Sequence, residues 1–273
     1  MPELPEVDAV RRELDPVMRG ARFRRVQLRR PDLRQPFPTN FAERLRGRVV
    51  RTLTRRGKYL LADLSSRETL LMHLGMSGSF RIVGESDSPD SHDHVVFEMS
   101  SGAVIAFNDP RRFGVMDLVA SDRLDSHAAL RRLGPEPLSA AFDGAALARA
   151  CANKRTPLKL ALLDQRVVAG VGNIYASEAL HLAHLSPRRR ASSIATKTGL
   201  PRDSAHRLAA AIKIVLGRAI ERHAGGRYRR SRFRVYDRDG QACPTRRCAG
   251  TIVRFTQGGR STFYCPTCQR AGS

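Results

Sequence analysis

The chain has no tryptophan, few lysines, few acidic residues and no long apolar run. No segment approaches the ~20 consecutive apolar residues of a membrane span, and the N-terminus lacks the apolar core of a signal peptide. We therefore expect a cytoplasmic protein with no membrane partner. At 273 residues the chain is long enough for two domains, each with its own core.

The scarcity of acidic residues leaves a large positive charge. The chain has 48 basic and 26 acidic residues, which gives a net charge of +22. An excess of this size, in a chain of ordinary apolar content, favours a nucleic-acid partner over a membrane surface. Arginine-rich codon usage explains why only five of the basic residues are lysines, but not why bases exceed acids. Lys58 is the only lysine before Lys154, which singles it out.

The first half of the chain is predicted to be one helix followed by β-structure. Val7, Val10, Leu14 and Val17 recur at helical spacing and predict a helix over residues 6–18. Short runs rich in β-forming residues follow, separated by glycines and polar turns: 23–28, 49–53, 59–64, 69–74, 80–83, 95–99, 103–107 and 115–119. Their regular spacing is typical of a β-sandwich or barrel.

The second half is predicted to be helical after a linker at residues 134–137. Helical patterns occur at 143–153, 157–165, 173–183 and 203–223. Gly170 and Gly172 precede the third of these helices, whose N-terminus offers N–H groups to a phosphate, with Asn173 adding its amide. No strand is predicted before them, and Tyr175 stands where a dinucleotide fingerprint needs its third glycine. We therefore expect backbone phosphates as the ligand and no nucleotide cofactor.

Four of the five cysteines have the spacing of a metal site. Cys243-x4-Cys248 and Cys265-x2-Cys268 form two ligand pairs separated by sixteen residues. Four thiolates on two such turns predict one structural zinc ion, since disulfides are improbable in the cytosol. Cys151 has no partner and is interpreted as an ordinary helix residue.

The residues between the cysteine pairs predict a β-hairpin. Residues 251–255 and 261–264 alternate in the manner of two strands, which places Arg260 at the tip or just past it. A structural zinc ion carries no catalysis by itself. Its predicted task is to hold the hairpin and orient Arg260.

The N-terminal sequence Met-Pro-Glu-Leu-Pro-Glu suggests covalent chemistry. Removal of Met1, which a small second residue permits, would leave Pro2 as a secondary amine. An α-amino group titrates near ~8, against ~10.4 for lysine, so more of it is nucleophilic at neutral pH. Its addition to a sugar aldehyde carbon gives an iminium that draws in electrons as the sugar backbone breaks, with Glu3 beside it for proton transfer. The alternative, purely structural interpretation of this string is that Pro2 and Pro5 only stiffen the entry to the helix that follows.

Two glycine-bounded turns carry apolar side chains near an arginine. Met76 lies in the turn at residues 73–78, and Arg111 and Phe113 lie in the turn at residues 109–114. Such side chains commonly belong to a core. Apolar wedges beside an arginine are also what a protein needs to unstack a base step and fill the gap.

These motifs together resemble the formamidopyrimidine-DNA glycosylase family over essentially the full chain. The matching strings are PELPEV at 2–7, RRGKYLL at 55–61, HLGMSGS at 73–79, HDHV at 92–95, DPRRFG at 109–114, LGPEPL at 133–138, GVGNIYASEAL at 170–180 and the four-cysteine finger. Their order along the chain makes the resemblance specific.

The resemblance implies an α+β protein. It implies an N-terminal catalytic β-sandwich with a flanking helix (1–133), a helix–two-turn–helix DNA-binding domain (134–226) and a β-hairpin zinc finger (227–273), with duplex DNA between them. The implied activity is base excision repair: flipping an oxidised base such as 8-oxoguanine or a formamidopyrimidine, cleaving its glycosidic bond, and nicking the strand by β,δ-elimination. We expect a monomer, since one cleft suffices.

The resemblance also assigns roles residue by residue. Pro2 is the implied Schiff-base nucleophile, Glu3 the general acid–base, and Lys58 the lysine that assists elimination and contacts phosphate. The implied DNA contacts are Met76, Arg111 and Phe113 in the void left by the flipped base, Asn173 and Arg260 on the phosphates around the lesion, and His73, Glu6 and Lys159 elsewhere in the cleft.

Two departures from the family pattern keep alternatives open. The first cysteine pair is x4 instead of the usual x2, which still fits zinc. The segment at residues 225–243 is short and arginine-rich where relatives have a loop that closes over an oxidised purine. One alternative is therefore the same chemistry on oxidised pyrimidines or abasic sites only. Another is a zinc-ribbon protein that binds distorted DNA without cutting it and tolerates Pro2→Gly.

Overall fold

The computed structural model describes residues 2–84, 88, 90–223 and 233–270. The chain divides into two compact units, Met1–Arg131 and Arg132–Ser273. The three-part division at residues 133 and 226 stays a prediction. Within the described residues, no helix is both long and apolar enough to cross a bilayer.

The first unit is a helix followed by a β-sandwich. Its helices and strands are α1 (Leu4–Met18), β1 (Phe23–Leu28), α2 (Phe41–Leu45), β2 (Val50–Arg56), β3 (Tyr59–Leu64), β4 (Glu68–His73), β5 (Ser79–Val83), β6 (Asp93–Met99), β7 (Val104–Asn108) and β8 (Val115–Ala120). Each predicted strand is present. The short α2 and a 3₁₀ turn at Ser121–Ser126 were not predicted.

The eight strands form two antiparallel sheets with orders β1-β6-β7-β5 and β2-β3-β4-β8. Alternate side chains of both sheets meet in one apolar core, exemplified by Phe97 and Phe107 from the first sheet and Leu60 and Met72 from the second. α1 closes this core with its apolar stripe, including Leu14. Full burial of side chains of this size contributes about 1.5–3 kcal/mol each relative to exposure.

The second unit is helical and ends in a hairpin. Its elements are α3 (Gly144–Cys151), α4 (Leu158–Leu163), α5 (Asn173–Leu182), α6 (Asp203–His223), β9 (Val253–Gln257) and β10 (Arg260–Tyr264). α6 packs against α3 and α5, because Leu208, Ile212 and Leu216 recur every four residues on its buried face. No strand lies between α4 and α5, as predicted. The 3₁₀ turn at Ala191–Ile194 was missed. The mixed α+β class is confirmed.

Candidate functional site

The start of α1 fixes the position of Pro2 and Glu3. Glu3 is the N-cap residue, and its carboxyl is buried with the residue only 2% exposed. The Glu6 carboxylate accepts a hydrogen bond from the Glu3 N–H at 2.9 Å, and the two residues form a capping box. A capping box defines the direction in which the chain enters a helix. Glu3, the residue that follows Pro2, is therefore fixed at the start of α1, and Glu6 acts as a helix cap.

Lys58 lies in the two-residue turn between β2 and β3. Gly57 supplies the positive φ (57°) that such a turn needs at its first position. Lys58 is only 8% exposed, which is unusual for a lysine in a turn. An ion pair between Arg55 Nε and Asp8 Oδ1 (3.8 Å) joins the end of β2 to α1. Because Asp8 lies in the second turn of α1, Lys58 and Pro2 lie at the same end of the unit.

His73 faces Tyr59 across the β3–β4 ladder, with ring centroids 4.7 Å apart. Its Nδ1 accepts a hydrogen bond from the Gly75 N–H at 3.0 Å, so the neutral ring carries its proton on Nε2. Burial, then the positive charges of Lys58 and Arg34, lower the pKa of His73 to about 4. The ring is therefore a neutral N–H donor at physiological pH.

His73 borders a cavity of about 430 Å³ on the outer face of its sheet. Tyr59 and Arg34 also line the cavity, as do Asp117 and His127, whose Oδ2 and Nε2 atoms are paired at 3.2 Å. Burial raises the pKa of the Tyr59 hydroxyl, so this phenol stays protonated. The cavity thus combines two neutral donors, His73 and Tyr59, with the Arg34 guanidinium and one paired acid.

Two loops present exposed side chains from the β-sandwich. Met76 follows β4 and is 43% exposed, and Phe113 precedes β8 and is 38% exposed. Both are among the few large apolar side chains that the described residues expose. The Arg111 guanidinium carbon lies 4.8 Å from the centre of the Phe113 ring, within the range of a cation–π contact. The structure thus brings Arg111 and Phe113 together and leaves Met76 outside the core.

The glycine turn before α5 is held by a side chain that no sequence motif indicated. Gln165 donates from Nε2 to the Val171 carbonyl (2.8 Å) and accepts from the Gly170 N–H (2.8 Å). Gly170 has φ +82°. Gly172 is the N-cap of α5, which places Asn173 in the first helical turn. The backbone N–H groups of this turn therefore have a fixed direction.

Lys159 is buried, not exposed. Lys159 is 0% exposed, and its Nζ donates hydrogen bonds to Asn173 Oδ1 (2.6 Å), Thr262 Oγ1 (2.6 Å) and the Ser261 carbonyl (3.2 Å). Asn173 Nδ2 also donates to the Ser261 carbonyl at 3.0 Å. A buried ammonium with these partners ties α4, α5 and β10 together. The resemblance to the family implies Lys159 as a DNA contact, and that assignment stays a prediction.

The C-terminal hairpin presents Arg260. Gly258 and Gly259 have φ of +56° and +71° and form a two-residue turn, so Arg260 is the first residue of β10. Arg260 is exposed, and within the described ranges its guanidinium has no ion pair. Nearby, the Arg188 guanidinium carbon lies 3.9 Å from the Phe255 ring centre, which packs the loop after α5 on the hairpin.

The four predicted cysteines converge on one point. Their sulfur atoms all lie within 4.8 Å of one another, with Cys243–Cys268 and Cys248–Cys265 separations of 3.8 and 3.7 Å. A tetrahedral site with Zn–S bonds of about 2.3 Å requires S–S edges of about 3.8 Å. The site therefore fits one structural zinc ion. Burial raises the pKa of Cys151 to about 11, as befits an unreactive helix residue.

Glu178, which lies in the matching string at 170–180 but received no predicted role, holds the segment before the cysteines. It is 5% exposed, and its carboxylate accepts the backbone N–H groups of Arg234, Val235 and Tyr236 at 2.8–3.0 Å. Most of the arginine-rich run at 227–234 lies outside the described residues. The segment that leads into the finger is thus attached to α5 by hydrogen bonds.

Comparisons with known proteins agree with this arrangement. The family models described as the formamidopyrimidine-DNA glycosylase N-terminal domain, its H2TH domain and the zinc finger of FPG and IleRS match residues 1–116, 133–231 and 240–271. A formamidopyrimidine-DNA glycosylase of Afipia carboxidovorans is 56% identical over 99% of this chain and 100% of its own length.

Solved structures are similar along the whole chain. The MutM (Fpg) protein of Thermus thermophilus is 38% identical with a TM-score of 0.84, covering 100% of both chains. The Lactococcus lactis protein is 29% identical over 98% of this chain and 100% of its own. Its TM-scores are 0.86 in a complex with FAPY-dG-containing DNA and 0.88 in a complex with DNA containing an oxidised pyrimidine.

Proposed function

Because the chain belongs to the formamidopyrimidine-DNA glycosylase family, we propose that it excises oxidised purines, such as 8-oxoguanine and formamidopyrimidines, from duplex DNA and then nicks the strand. The family is one of DNA glycosylases with AP lyase activity. The observation that carries this proposal for the chain itself is the N-terminus of α1, where a capping box holds buried Glu3 beside Pro2.

The proposed reaction uses Pro2 as nucleophile after removal of Met1. The Pro2 nitrogen forms a bond to C1′ of the damaged nucleotide as the bond from C1′ to the base breaks, and the base leaves. Loss of the amine proton and opening of the sugar give an iminium. Glu3 moves protons at the sugar. The iminium accepts the electrons released when a C2′ proton is removed and the 3′ phosphate leaves, and a second elimination releases the 5′ phosphate.

Lys58 and His73 complete the reactive end. A cation at the buried end of the β2–β3 turn is suited to a phosphate next to the reacting sugar and to proton transfer during elimination. His73 adds a neutral Nε2–H donor toward the same backbone. Base flipping is required because C1′ is inaccessible in a stacked duplex, and Met76, Arg111 and Phe113 are proposed to fill the void and meet the unpaired base.

The C-terminal unit is proposed to grip phosphates without reading sequence. Arg260 supplies an exposed guanidinium, and α5 supplies backbone N–H groups and one remaining Nδ2 hydrogen of Asn173. We assign Lys159 to positioning these two contacts instead of touching DNA. The zinc ion, when bound by the four cysteines, would supply rigidity to the hairpin. We expect the enzyme to act as a cytoplasmic monomer without a nucleotide cofactor.

A second candidate function is the same chemistry on oxidised pyrimidines or abasic sites only. The alignment with the Afipia protein spans 296 positions, against 273 residues here, so at least 296 − 273 = 23 positions of the aligned region have no counterpart in this chain. The predicted short segment at 225–243 would account for part of this difference. A relative from L. lactis has been solved on DNA with an oxidised pyrimidine.

Borohydride trapping tests both candidates. Labelled duplexes would carry an abasic site, 8-oxoguanine, a formamidopyrimidine or an oxidised pyrimidine. We expect a covalent adduct on abasic DNA that falls at least about 100-fold in Pro2→Gly, the scale on which a missing catalytic group acts. Pro5→Ala is the matched control, because it changes a proline of the helix entry but keeps the amine.

The pattern over the intact lesions would then decide the substrate. Adducts on both purine lesions support the first candidate, and adducts on the pyrimidine or abasic duplex alone support the second. No adduct on any duplex, with Met1 removal verified by mass spectrometry and DNA tightly bound, would refute both and favour a damage-binding protein.

A further inference from the structure

The two loops that present Met76, Arg111 and Phe113 share one buried carboxylate. Asp109 is 0% exposed. Its Oδ1 accepts a hydrogen bond from the Ser77 hydroxyl at 2.6 Å, and its Oδ2 accepts one from the Gly114 N–H at 2.7 Å. Asp109 therefore holds residues from the loop after β4 and from its own loop at the same time.

The network extends one bond further on each side. The Ser77 oxygen accepts a hydrogen bond from the Arg111 N–H at 3.3 Å, and the Asp109 carbonyl accepts one from His94 Nε2 at 3.0 Å. His94 is 3% exposed and lies on β6. Asp109 thus connects two parts of the sandwich: its carboxylate reaches the loop backbone at Arg111 through Ser77, and its carbonyl reaches strand β6 through His94.

Close packing leaves the loops no room to shift. A Cβ on Gly75 would lie 2.3 Å from the Phe113 carbonyl carbon, and a Cβ on Gly114 would lie 2.6 Å from the Phe107 ring. Gly75 also has φ +65°, which favours glycine. The backbones that carry Met76 and Phe113 are therefore in direct contact, and the hydrogen bonds of Asp109 set their register.

We propose that Asp109, through Ser77, is a positioning residue that makes Met76, Arg111 and Phe113 one preformed wedge. The inference rests on the proposed function of those three side chains in opened DNA. Asp109 is assigned no contact with the reacting sugar. Its loss should impair base flipping and void filling and leave the covalent chemistry in place.

The test uses Asp109→Asn and Ser77→Ala in the full-length enzyme. Asn keeps the shape but replaces one acceptor with a donor, and Ala removes the bridging hydroxyl. Loss of a hydrogen bond to a buried charge predicts about 10- to 100-fold slower excision of 8-oxoguanine from duplex DNA. Trapping on a single-stranded abasic oligonucleotide, which has no partner base and no stack to open, should stay within about twofold of wild type.

Two further measurements separate positioning from general damage. The fluorescence of a 2-aminopurine placed opposite the abasic site reports insertion of the wedge. Its increase on protein binding should be smaller for the two variants than for wild type. In a double-mutant cycle with Met76→Ala, the two changes should be clearly less than additive, because both act through the wedge. Thermal unfolding provides the check on folding.

Three results would overturn the proposal. Equal losses on duplex and single-stranded substrates would mean a general structural role. Wild-type excision by both variants would mean that the wedge needs no such anchor, and additive effects with Met76→Ala would mean an independent action. If wild type itself forms no adduct on abasic DNA, the proposed function fails instead, which keeps the two failures distinct.

Discussion

The wedge loops of the N-terminal unit and the hairpin of the C-terminal unit both carry exposed side chains close to a buried charge, but the charges have opposite signs. Asp109 holds the loops of Met76 and Phe113 by accepting hydrogen bonds. Lys159 holds the hairpin of Arg260 by donating them to neutral oxygen atoms. The first anchor is an anion and the second a cation.

The two anchors also differ in how far they reach along the chain. The two groups that donate to the Asp109 carboxylate belong to residues 5 and 32 positions away in the sequence. The Lys159 ammonium, in contrast, donates to Thr262, which is 103 positions away. The first anchor therefore organises adjacent loops of one sandwich. The second connects a helix to a finger that is distant in sequence, and it works alongside the cysteine site. We expect damage at the first anchor to be local and damage at the second to spread through the finger.

Removing zinc from the C-terminal unit should give the largest effect. Cys265→Ser deletes one of four ligands, and structural zinc sites contribute about 10 kcal/mol or more to folding. We expect loss of the metal by elemental analysis, loss of the cooperative unfolding of the finger, and weaker DNA binding through displacement of Arg260. Cys151→Ala, at a buried cysteine outside the site, should keep one zinc ion per chain. An unchanged zinc content in Cys265→Ser would contradict the assignment.

Removing the cationic anchor should have the next largest effect. Lys159→Met keeps the apolar stem but leaves Asn173 Oδ1 and Thr262 Oγ1 without their donor. Buried polar groups that lose their partner predict a fall of about 3 kcal/mol in the free energy of unfolding, measured by urea titration.

Arg260→Ala is the contrast for Lys159→Met. It should change stability by no more than about 0.5 kcal/mol, because the side chain is exposed. It should reduce the magnitude of the negative slope of log affinity against log salt concentration by about 0.9, the value for one phosphate contact. If Lys159→Met gave the same slope change at unaltered stability, Lys159 would be a direct DNA contact and our reassignment would be wrong.

The same contrast explains what could be predicted from the sequence. Strand periodicity, glycine spacing and cysteine pairs are local, and they predicted all eight sandwich strands and the zinc ligands, while the resemblance implied the α+β class. The helix 203–223 was also predicted with its observed bounds. The short helix α2 was missed because only its first and last residues are buried, and five residues are too few for helical periodicity to be recognised.

The parts of the site that could be predicted from the sequence are those whose residues lie close together in the chain. Arg111 and Phe113 are two residues apart, so their pairing follows from the turn. The partners of Lys159, Glu178 and Gln165 are side chains or backbone groups that meet only after folding, and no spacing rule connects Glu178 with residues 234–236. Lys159 illustrates the consequence, since the resemblance that implied a DNA contact gave no indication of its buried partners.

A further effect, smaller than that of Lys159→Met, tests whether burial and the cations of the N-terminal unit keep His73 neutral. The groups facing its ring are Lys58, Arg34 and Tyr59, with Asp117 across the cavity. Because burial and the two cations lower the pKa of His73 from 6.5 to about 4, the unfolded chain binds a proton in this range that the folded chain does not. The contribution of His73 to stability should therefore be constant above pH 6.5 and fall as the pH drops from 6.5 to 4.

His73→Asn isolates this contribution, because the Asn amide oxygen can accept the Gly75 N–H as Nδ1 does. The free energy of unfolding of wild type and of His73→Asn would be measured by urea titration at steps of half a pH unit. The difference between the two should change by about 2 kcal/mol against wild type between pH 6.5 and pH 4. This value is smaller than the full pKa shift implies, because the ring is partly exposed to solvent. The other histidines cancel in the difference. A difference that stays flat, or that favours wild type at low pH, would show that folding does not lower the pKa of the His73 ring.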